Sequence, residues 1–205
     1  MGTGLVGKTL GSIGLGNIGT EVFRLCAPLD MKFIAHDPYI DPTIVKSANV
    51  ELKDLDSVFR ESDFLTINVP LGEETHHLVN SAKLTLMKPT AYLINTSRGP
   101  VVDQTALVAA LTQGVIAGAG LDVFDPEPPE SNDPLLQLDN VILSPHALCW
   151  TDQCFAGIGA QDLEHVFAIK NGQVPQALAD PSVADKPTFQ RKLEHYRIHF
   201  GTQST

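Results

Sequence analysis

Three side chains that could bind an anion or move a proton each follow a predicted apolar strand. Arg98 lies in Asn-Thr-Ser-Arg-Gly, Glu127 in Asp-Pro-Glu-Pro-Pro and His146 in Ser-Pro-His. An arginine can hold a substrate carboxylate and carbonyl oxygen, because its planar fork stays charged. An imidazole can exchange a proton with that oxygen, and a carboxylate beside it fixes its tautomer and favours its protonated form. We interpret the three residues as a catalytic set for hydride transfer to a 2-oxo acid.

Each of these residues also has an ordinary interpretation. Taken alone, Arg98 could be an ion-pair partner, Glu127 a solvated loop acid and His146 a surface histidine with satisfied hydrogen bonds. Their shared position favours the catalytic interpretation, because the carboxyl ends of parallel strands meet at one edge of a sheet, where ligands bind.

A glycine pattern near the N-terminus predicts a dinucleotide-binding turn at the same edge. The run from Thr9 to Ile13 predicts a strand, and Gly-Leu-Gly-Asn-Ile-Gly follows it. In such a turn Gly14 allows the tight bend, Gly16 lets the backbone approach a pyrophosphate, and Gly19 lets the next helix pack on the strand. The N-terminus of that helix then presents N–H groups to the phosphates.

An acidic residue after the second predicted strand favours NAD over NADP. The apolar run from Met31 to His36 is followed by Asp37, eighteen residues after Gly19. This is close to the spacing of a ribose-binding carboxylate. Asp37 can accept hydrogen bonds from both adenosine ribose hydroxyls and would repel a 2′-phosphate. The next residues, 38 to 41, include no arginine that could hold such a phosphate.

Strands and helices alternate along the chain at an interval that predicts βαβ units. Further helices are expected from Thr20 to Ala27 and after caps at residues 54, 80 or 81, 103 and 151 or 152, with strands near residues 50–52, 64–69, 91–95, 117–123 and 141–143. Nearly continuous apolar strands indicate a parallel sheet that is buried on both faces. We therefore predict an α/β fold with a doubly wound parallel sheet of Rossmann type and a C-terminal extension.

The predicted dinucleotide-binding domain comprises residues 1–172, and residues 173–205 form a linker and a short helix. Pro175, Pro181 and Pro187 punctuate this linker. The helical spacing over residues 188–200 predicts that one face buries Phe189, Leu193 and Tyr196. Trp150 could wall a substrate pocket or seat the long helix that precedes the linker.

Composition narrows the classes of partner. The chain has 24 acidic and 14 basic residues and a net charge of −10, which disfavours nucleic acid and anionic membranes. No apolar run has the length of a membrane span, and the N-terminus lacks a signal pattern. Three cysteines without metal-ligand spacing favour a reduced, cytoplasmic setting. No histidine pair at helical spacing has a third ligand nearby, so no metal site is predicted.

Four motifs in order resemble those of the D-isomer-specific 2-hydroxyacid dehydrogenases. They are residues 7–19, 95–103, 120–129 and 144–146, and the resemblance extends over about residues 5–175. It implies NAD as the cofactor, a small 2-oxo or 2-hydroxy acid as the substrate, and a homodimer formed through the nucleotide domain. It implies Arg98, Glu127 and His146 as the catalytic set.

The resemblance also implies cofactor contacts from the glycine turn and from the loops that follow the strands. With the glycines and Asp37 included, the expected cofactor residues are Gly14, Gly16, Asn17, Ile18, Gly19, Asp37, Val69, Pro70, Thr75, Thr96, Ser97, Arg98, Asp122 and His146. Asp122 resembles the residue that meets the nicotinamide carboxamide. Without the family, Thr75 and Asp122 would be interpreted as an ordinary loop hydroxyl and a strand-end acid.

Two hypotheses of different classes remain at this stage. Members of the family carry a substrate lobe before the glycine strand, whereas only residues 1–7 precede it here. The first hypothesis is an NAD-dependent oxidoreductase that needs this lobe for full activity. The second is a non-catalytic NAD-binding or dimerisation module, either through truncation or as a regulatory protein. Corepressors that resemble these enzymes share the catalytic set, so the motifs leave this class open. Formate dehydrogenases share the motifs but place glutamine where Glu127 stands, which argues against that branch.

Overall fold

The computed structural model describes residues 4–40, 45 and 49–201. Residues 1–3 of the N-terminus and Asp41, which ends the arginine-free stretch after Asp37, lie outside this described part. The chain divides into two compact units between Leu148 and Cys149. The predicted end of the dinucleotide-binding domain at residue 172 is a different boundary, and it stays a prediction.

The first unit is a parallel sheet with helices between its strands. Its strands are β1 (Thr9–Ile13), β2 (Lys32–His36), β3 (Glu51–Leu52), β4 (Phe64–Ile67), β5 (Tyr92–Asn95), β6 (Gly118–Leu121) and β7 (Val141–Leu143). Its helices are α1 (Asn17–Cys26), α2 (Leu55–Glu61), α3 (Ser81–Leu86) and α4 (Gln104–Thr112), with 3₁₀ turns at Ala27–Leu29, Gly99–Val101 and Pro134–Gln137.

The strand order is that of a doubly wound fold. Within the described residues the sheet has seven strands in the order β3-β2-β1-β4-β5-β6-β7, and every neighbouring pair is parallel. The order reverses between β1 and β4, which is the switch point where such sheets bind ligands. The predicted fold class is therefore confirmed.

The strands consist largely of apolar residues because their side chains are buried. Ile13, Leu65, Ile67 and Leu93 are almost completely buried within one large apolar cluster. A second cluster surrounds Phe23 of α1. Consecutive buried residues in β1 and β4 show that both faces of these two strands are removed from water, as expected for a parallel sheet.

Local capping signals place three helix starts correctly. Asp54, Asn80 and Asp103 each accept a backbone N–H in the first turn of the following helix. In contrast, α1 begins at Asn17 and not at Thr20 as the spacing predicts. The glycine turn runs directly into the helix. Because its glycine and asparagine residues have low helix propensity, the sequence does not indicate that the helix begins there.

The second unit contains α5 (Asp152–Lys170), a 3₁₀ turn at Pro181–Asp185 and α6 (Pro187–Phe200). Thr151 caps α5, and Gly172 follows it in the left-handed region. Of the three residues predicted to be buried in α6, Leu193 is buried, Phe189 is half-buried and Tyr196 is 38% exposed. The predicted burial of Tyr196 is therefore wrong, because helical spacing shows which residues share a face but not what covers that face.

Trp150 belongs to this second unit. Its ring meets Phe155 edge-on at a centroid distance of 6.1 Å. This contact favours the interpretation that Trp150 packs against the start of α5 and helps to position this helix. Among the helices of the described residues, none combines the length and the apolar character needed to cross a membrane.

Candidate active site

The loops after β6 and β7 bring Glu127 and His146 into contact. His146 Nδ1 lies 2.5 Å from Glu127 Oε1. Because an ionised carboxylate only accepts hydrogen bonds, Nδ1 is the donor and Nε2 is left to face a ligand. This is the orientation that a proton-exchanging imidazole requires.

The environment of Glu127 keeps it ionised. The hydrogen bond from His146 lowers the pKa of Glu127 below its usual value, while partial burial opposes this effect. The Phe124 N–H, 3.3 Å from Glu127 Oε2, and the positive charges of His146 and Arg98 lower the pKa further. The influence of Arg98 indicates that its guanidinium lies within electrostatic reach of Glu127.

The backbone around His146 is held by Asp122. His146 has a φ of 55°, in the left-handed region. The N–H groups of Ala147 and Leu148 donate to the two carboxylate oxygens of Asp122, at 3.0 and 3.3 Å. Burial raises the pKa of Asp122, but hydrogen bonds from Ser144, Ala147 and Leu148 hold it below its usual value. Asp122 thus positions the histidine loop, whereas its expected contact with a nicotinamide stays a prediction.

The loop after β5 presents Arg98 through a network centred on Asn95. Asn95 Oδ1 accepts hydrogen bonds from the Ser97 N–H and hydroxyl, and Asn95 Nδ2 donates to the Arg98 carbonyl oxygen. Arg98 is exposed, and its guanidinium donates to the Ser97 carbonyl oxygen at 2.6 Å. Asn95 is buried, and sequence reasoning missed this role because its hydrogen bonds are visible only in the folded loop.

Gly99 allows the Arg98 loop to approach the Glu127 loop. A Cβ atom at Gly99 would lie 1.7 Å from the Phe124 carbonyl oxygen. This distance is far below any van der Waals contact, so the two loops can meet only through a glycine. Gly99 belongs to the motif of residues 95–103, and a contact with the distant Phe124 explains why this position needs a glycine.

The glycine turn has the geometry that phosphate binding needs. Gly14 has a φ of 89°, and a Cβ there would lie 2.6 Å from the Asn68 carbonyl oxygen. A Cβ at Gly19 would lie 2.6 Å from the Gly14 carbonyl oxygen, whereas one at Gly16 would meet nothing within 4 Å. No side chain caps the N-terminus of α1. Its N-terminal N–H groups and helix dipole therefore form an anion-binding end.

Two adjoining cavities run along the carboxyl ends of the strands. The first, of about 640 Å³, is lined by Gly14, Gly16, Asp37 and Thr75 among others. The second, of about 450 Å³, is lined by Ile18, Thr96, Ser97 and Arg98 among others. Val69 and Pro70 line both cavities. Together they form a path from the acidic residue after β2 to the arginine after β5, as an extended dinucleotide requires.

Some predicted cofactor residues have structural contacts of their own. The Thr75 hydroxyl donates to the Pro70 carbonyl oxygen at 2.6 Å and accepts from the Gly72 N–H at 2.8 Å. It therefore shapes the loop after β4 as well as lining the first cavity. Asn17, Gly19, Asp122 and His146 do not line either cavity.

A larger cavity lies elsewhere on the first unit. It has a volume of about 920 Å³ and is lined by residues such as Lys32, Arg60 and Lys88. Lys32 begins β2, and Lys88 precedes β5 and pairs with Asp63. Because this cavity includes the starts of β1 and β2, which lie at the opposite edge from their carboxyl ends, it is not the expected place for the ligand of a parallel sheet.

The family follows from comparison with known proteins. Residues 1–147 match the family model of the D-isomer specific 2-hydroxyacid dehydrogenase, NAD binding domain. The chain therefore belongs to this family, and NAD is confirmed as its cofactor. Since the match lies in the NAD-binding domain, it covers the glycine turn and all three predicted catalytic residues.

Among the similar proteins are glyoxylate reductases from two archaea. The protein from Korarchaeum cryptofilum is 42% identical over 192 residues, which cover 93% of this chain and 58% of the relative. The protein from Thermofilum pendens is 43% identical over 185 residues, which cover 89% of this chain and 54% of the relative. The chain thus spans a little over half the length of these relatives.

Solved structures show the same fold. The TT0316 protein from Thermus thermophilus has a TM-score of 0.82 at 34% identity, over 88% of this chain and 56% of that one. The NAD-complexed D-isomer specific 2-hydroxyacid dehydrogenase from Lactobacillus delbrueckii ssp. bulgaricus has a TM-score of 0.80 at 30% identity, over 88% and 58% of the two chains.

Proposed function

We propose that this chain is the nucleotide-binding and catalytic half of an NAD-dependent D-2-hydroxyacid dehydrogenase. The observation that carries the proposal is the contact between His146 and Glu127, within electrostatic reach of Arg98. Arg98 also lines the cavity path that runs from Asp37 along the strand ends. A bound nicotinamide at the Arg98 end would therefore lie beside an acid–base pair and a cation.

Each side chain has a distinct role in the proposed reaction. When bound, NADH supplies a hydride to the carbonyl carbon of a small 2-oxo acid. Arg98 binds the carboxylate and polarises the carbonyl oxygen. His146 donates its Nε2 proton to that oxygen as negative charge develops, which completes the hydroxyl group, and removes it in the reverse direction. Glu127 orients the ring through Nδ1 and stabilises the imidazolium form.

The proposed cofactor contacts follow the cavity path. The N-terminus of α1, with Asn17 and Ile18, would hold the pyrophosphate, and Asp37 would hold the adenosine ribose. The remaining predicted residues on the path would contact the rest of the cofactor, namely Val69, Pro70, Thr75, Thr96 and Ser97. Glyoxylate is the first substrate to test, because the two archaeal relatives are named glyoxylate reductases.

The proposed function is tested by joining a relative's substrate lobe to this chain. We expect a chimera that places the lobe of the Korarchaeum cryptofilum glyoxylate reductase before residue 5 to oxidise NADH with glyoxylate, hydroxypyruvate or pyruvate. The chain by itself is expected to bind NADH with far lower turnover, because the lobe supplies the rest of the substrate site. The measurement is the loss of NADH absorbance, with the unmodified Korarchaeum enzyme as the positive control.

A different outcome would favour the second function, a non-catalytic NAD-binding module. This alternative draws on the observation that the chain spans only 54–58% of its relatives. It predicts that the 205-residue chain binds NADH and turns over none of the three oxo acids. Turnover by this chain alone would eliminate it.

We also propose that the chain forms a homodimer and functions in the cytoplasm. The free state of all three cysteines supports a reducing compartment, and the net charge of −10 supports partners other than nucleic acid or membranes. The support for self-association lies in α5, which has no buried residue. Leu163 is 60% exposed and Val166 62% exposed, and contiguous exposed apolar surface of this kind marks interaction sites.

Substitution in α5 tests the dimer. Light scattering is expected to give twice the chain mass of 22.1 kDa for the unmodified protein. Leu163→Glu is expected to give a monomer, because it buries a charge in the interface. Gln161→Glu places the same charge at an exposed polar position of α5 and serves as the matched control. A monomeric unmodified chain, or equal behaviour of both variants, would contradict the proposal.

A further inference from the structure

Tyr39 and Glu74 hydrogen-bond between two loops that line the same cavity. Tyr39 follows Asp37 in the loop after β2, and Glu74 lies in the loop after β4. The Tyr39 hydroxyl donates to Glu74 Oε2 at 2.9 Å across a sequence separation of 35 residues. Both residues line the cavity of about 640 Å³ that contains Asp37 and the glycine turn.

Each partner of this hydrogen bond is anchored to backbone that forms the cavity. The Tyr39 N–H donates to Asp37 Oδ1 at 2.9 Å, and the Leu15 N–H donates to Asp37 Oδ2 at 2.8 Å. On the other side, the Thr75 hydroxyl ties the Glu74 loop to Pro70 and Gly72. The Tyr39 side chain is otherwise open, since the residue is 80% exposed. Hydrogen bonds and not packing therefore hold the pair.

The carboxylates that line this cavity give it a negative charge. Its ionisable lining residues are the three acids Asp37, Glu73 and Glu74, together with His36 and Tyr39. His36 Nδ1 lies 3.1 Å from the Lys53 carbonyl oxygen, so this nitrogen is engaged by the backbone. Among the described lining residues there is no lysine or arginine. A phosphate monoester carries a charge of about −1.5 to −2 at pH 7, and no cationic lysine or arginine among these described lining residues would compensate for it.

We propose that Glu74, held in place by Tyr39, is a second specificity residue that excludes the 2′-phosphate of NADP. Asp37 acts by direct contact with the ribose, whereas Glu74 acts across the cavity through its charge. The Tyr39 hydrogen bond holds this carboxylate, which is exposed, at the cavity that contains Asp37. The inference rests on NAD binding at the glycine turn and extends it to a residue outside the dinucleotide motif.

The test compares the affinities of the 205-residue chain for NADH and NADPH by nucleotide fluorescence. Glu74→Gln keeps an acceptor for the Tyr39 hydroxyl and removes the charge. It is expected to strengthen NADPH binding about fivefold and to change NADH binding less than about twofold, as a single Coulombic interaction at partial solvent exposure allows. Each substitution is also made in an Asp37→Ser background, which raises NADPH affinity into the measurable range.

Glu73→Gln is the matched control, because it removes an equal charge from a lining residue of the same loop that is not the partner of Tyr39. We expect a smaller gain of NADPH affinity from Glu73→Gln than from Glu74→Gln. Tyr39→Phe should act in the same direction as Glu74→Gln but more weakly, since it releases the carboxylate without removing it. The unmodified chain should discriminate less against NADPH at high salt, and this salt dependence should shrink in Glu74→Gln. A purely structural role of Glu74 would not produce that change.

The outcomes separate this inference from the proposed function. NADH binding with equal effects of Glu73→Gln and Glu74→Gln would overturn the role of the Tyr39–Glu74 pair and leave NAD binding intact. A chain that binds neither nucleotide would overturn NAD binding and this inference with it. A selective gain of NADPH affinity in Glu74→Gln would support the inference whether or not any oxo acid is turned over.

Discussion

Replacing His146 by glutamine in the chimera with the Korarchaeum cryptofilum lobe is expected to lower kcat about a thousandfold, within the range for loss of a general acid. Glutamine can still hydrogen-bond to Glu127 but cannot deliver a proton to the substrate oxygen. NADH affinity is expected to change less than about threefold, because the energy of cofactor binding comes mainly from the turn and the ribose site. The measurements are steady-state NADH oxidation with glyoxylate and NADH fluorescence titration.

The matched control for this substitution is His76→Gln. His76 lies in the loop after β4, and its ring stacks on that of His77. This variant should retain kcat. Glu127→Gln should give an intermediate loss, since it keeps a hydrogen-bond acceptor near Nδ1 but removes the charge that stabilises imidazolium. A loss of less than tenfold in His146→Gln would contradict the assigned role, because solvent would then supply the proton equally well.

The parts of this site that follow local rules could be predicted from the sequence. The strand ends, the glycine turn and the caps at Asp54, Asn80 and Asp103 depend on residues within a few positions of one another. The α/β pattern then places the carboxyl ends of all parallel strands at one edge. This is why Glu127 and His146, nineteen residues apart, could be expected to meet.

The parts that the sequence did not reveal depend on contacts between distant loops. The pairing of Tyr39 with Glu74 and the approach of Gly99 to Phe124 join segments whose loop conformations have no periodic signal. Asp122 is a related case, because an acid at the end of a strand can accept hydrogen bonds either from a ligand or from the backbone of the protein itself. The structure shows it holding the backbone after His146. The predicted burial of Tyr196 in α6 is wrong for the same reason, since only tertiary contacts decide which apolar residues are covered.

Gly99 is the position where a single added methyl group should have the largest structural effect. Gly99→Ala is expected to destabilise the chain by about 3 kcal/mol or more, the scale of overpacking in a tightly packed region. The Cβ would lie 1.7 Å from a backbone oxygen and 2.1 Å from the carbon that bears it. No flexible side chain can move aside to relieve this contact, so one of the two loops must shift. The measurement is denaturant unfolding monitored by circular dichroism.

The matched control is Gly120→Ala in β6, where the nearest atom to the new Cβ would be an Ile94 side-chain carbon at 4.0 Å. That contact is ordinary, so this variant should lose less than about 1 kcal/mol. If Gly99→Ala still folds, the shifted loop should move Arg98 away from Glu127 and His146. In the chimera this would raise KM for glyoxylate and lower kcat while NADH binding persists. Equal stability of the two variants would show that the loops after β5 and β6 do not meet through Gly99.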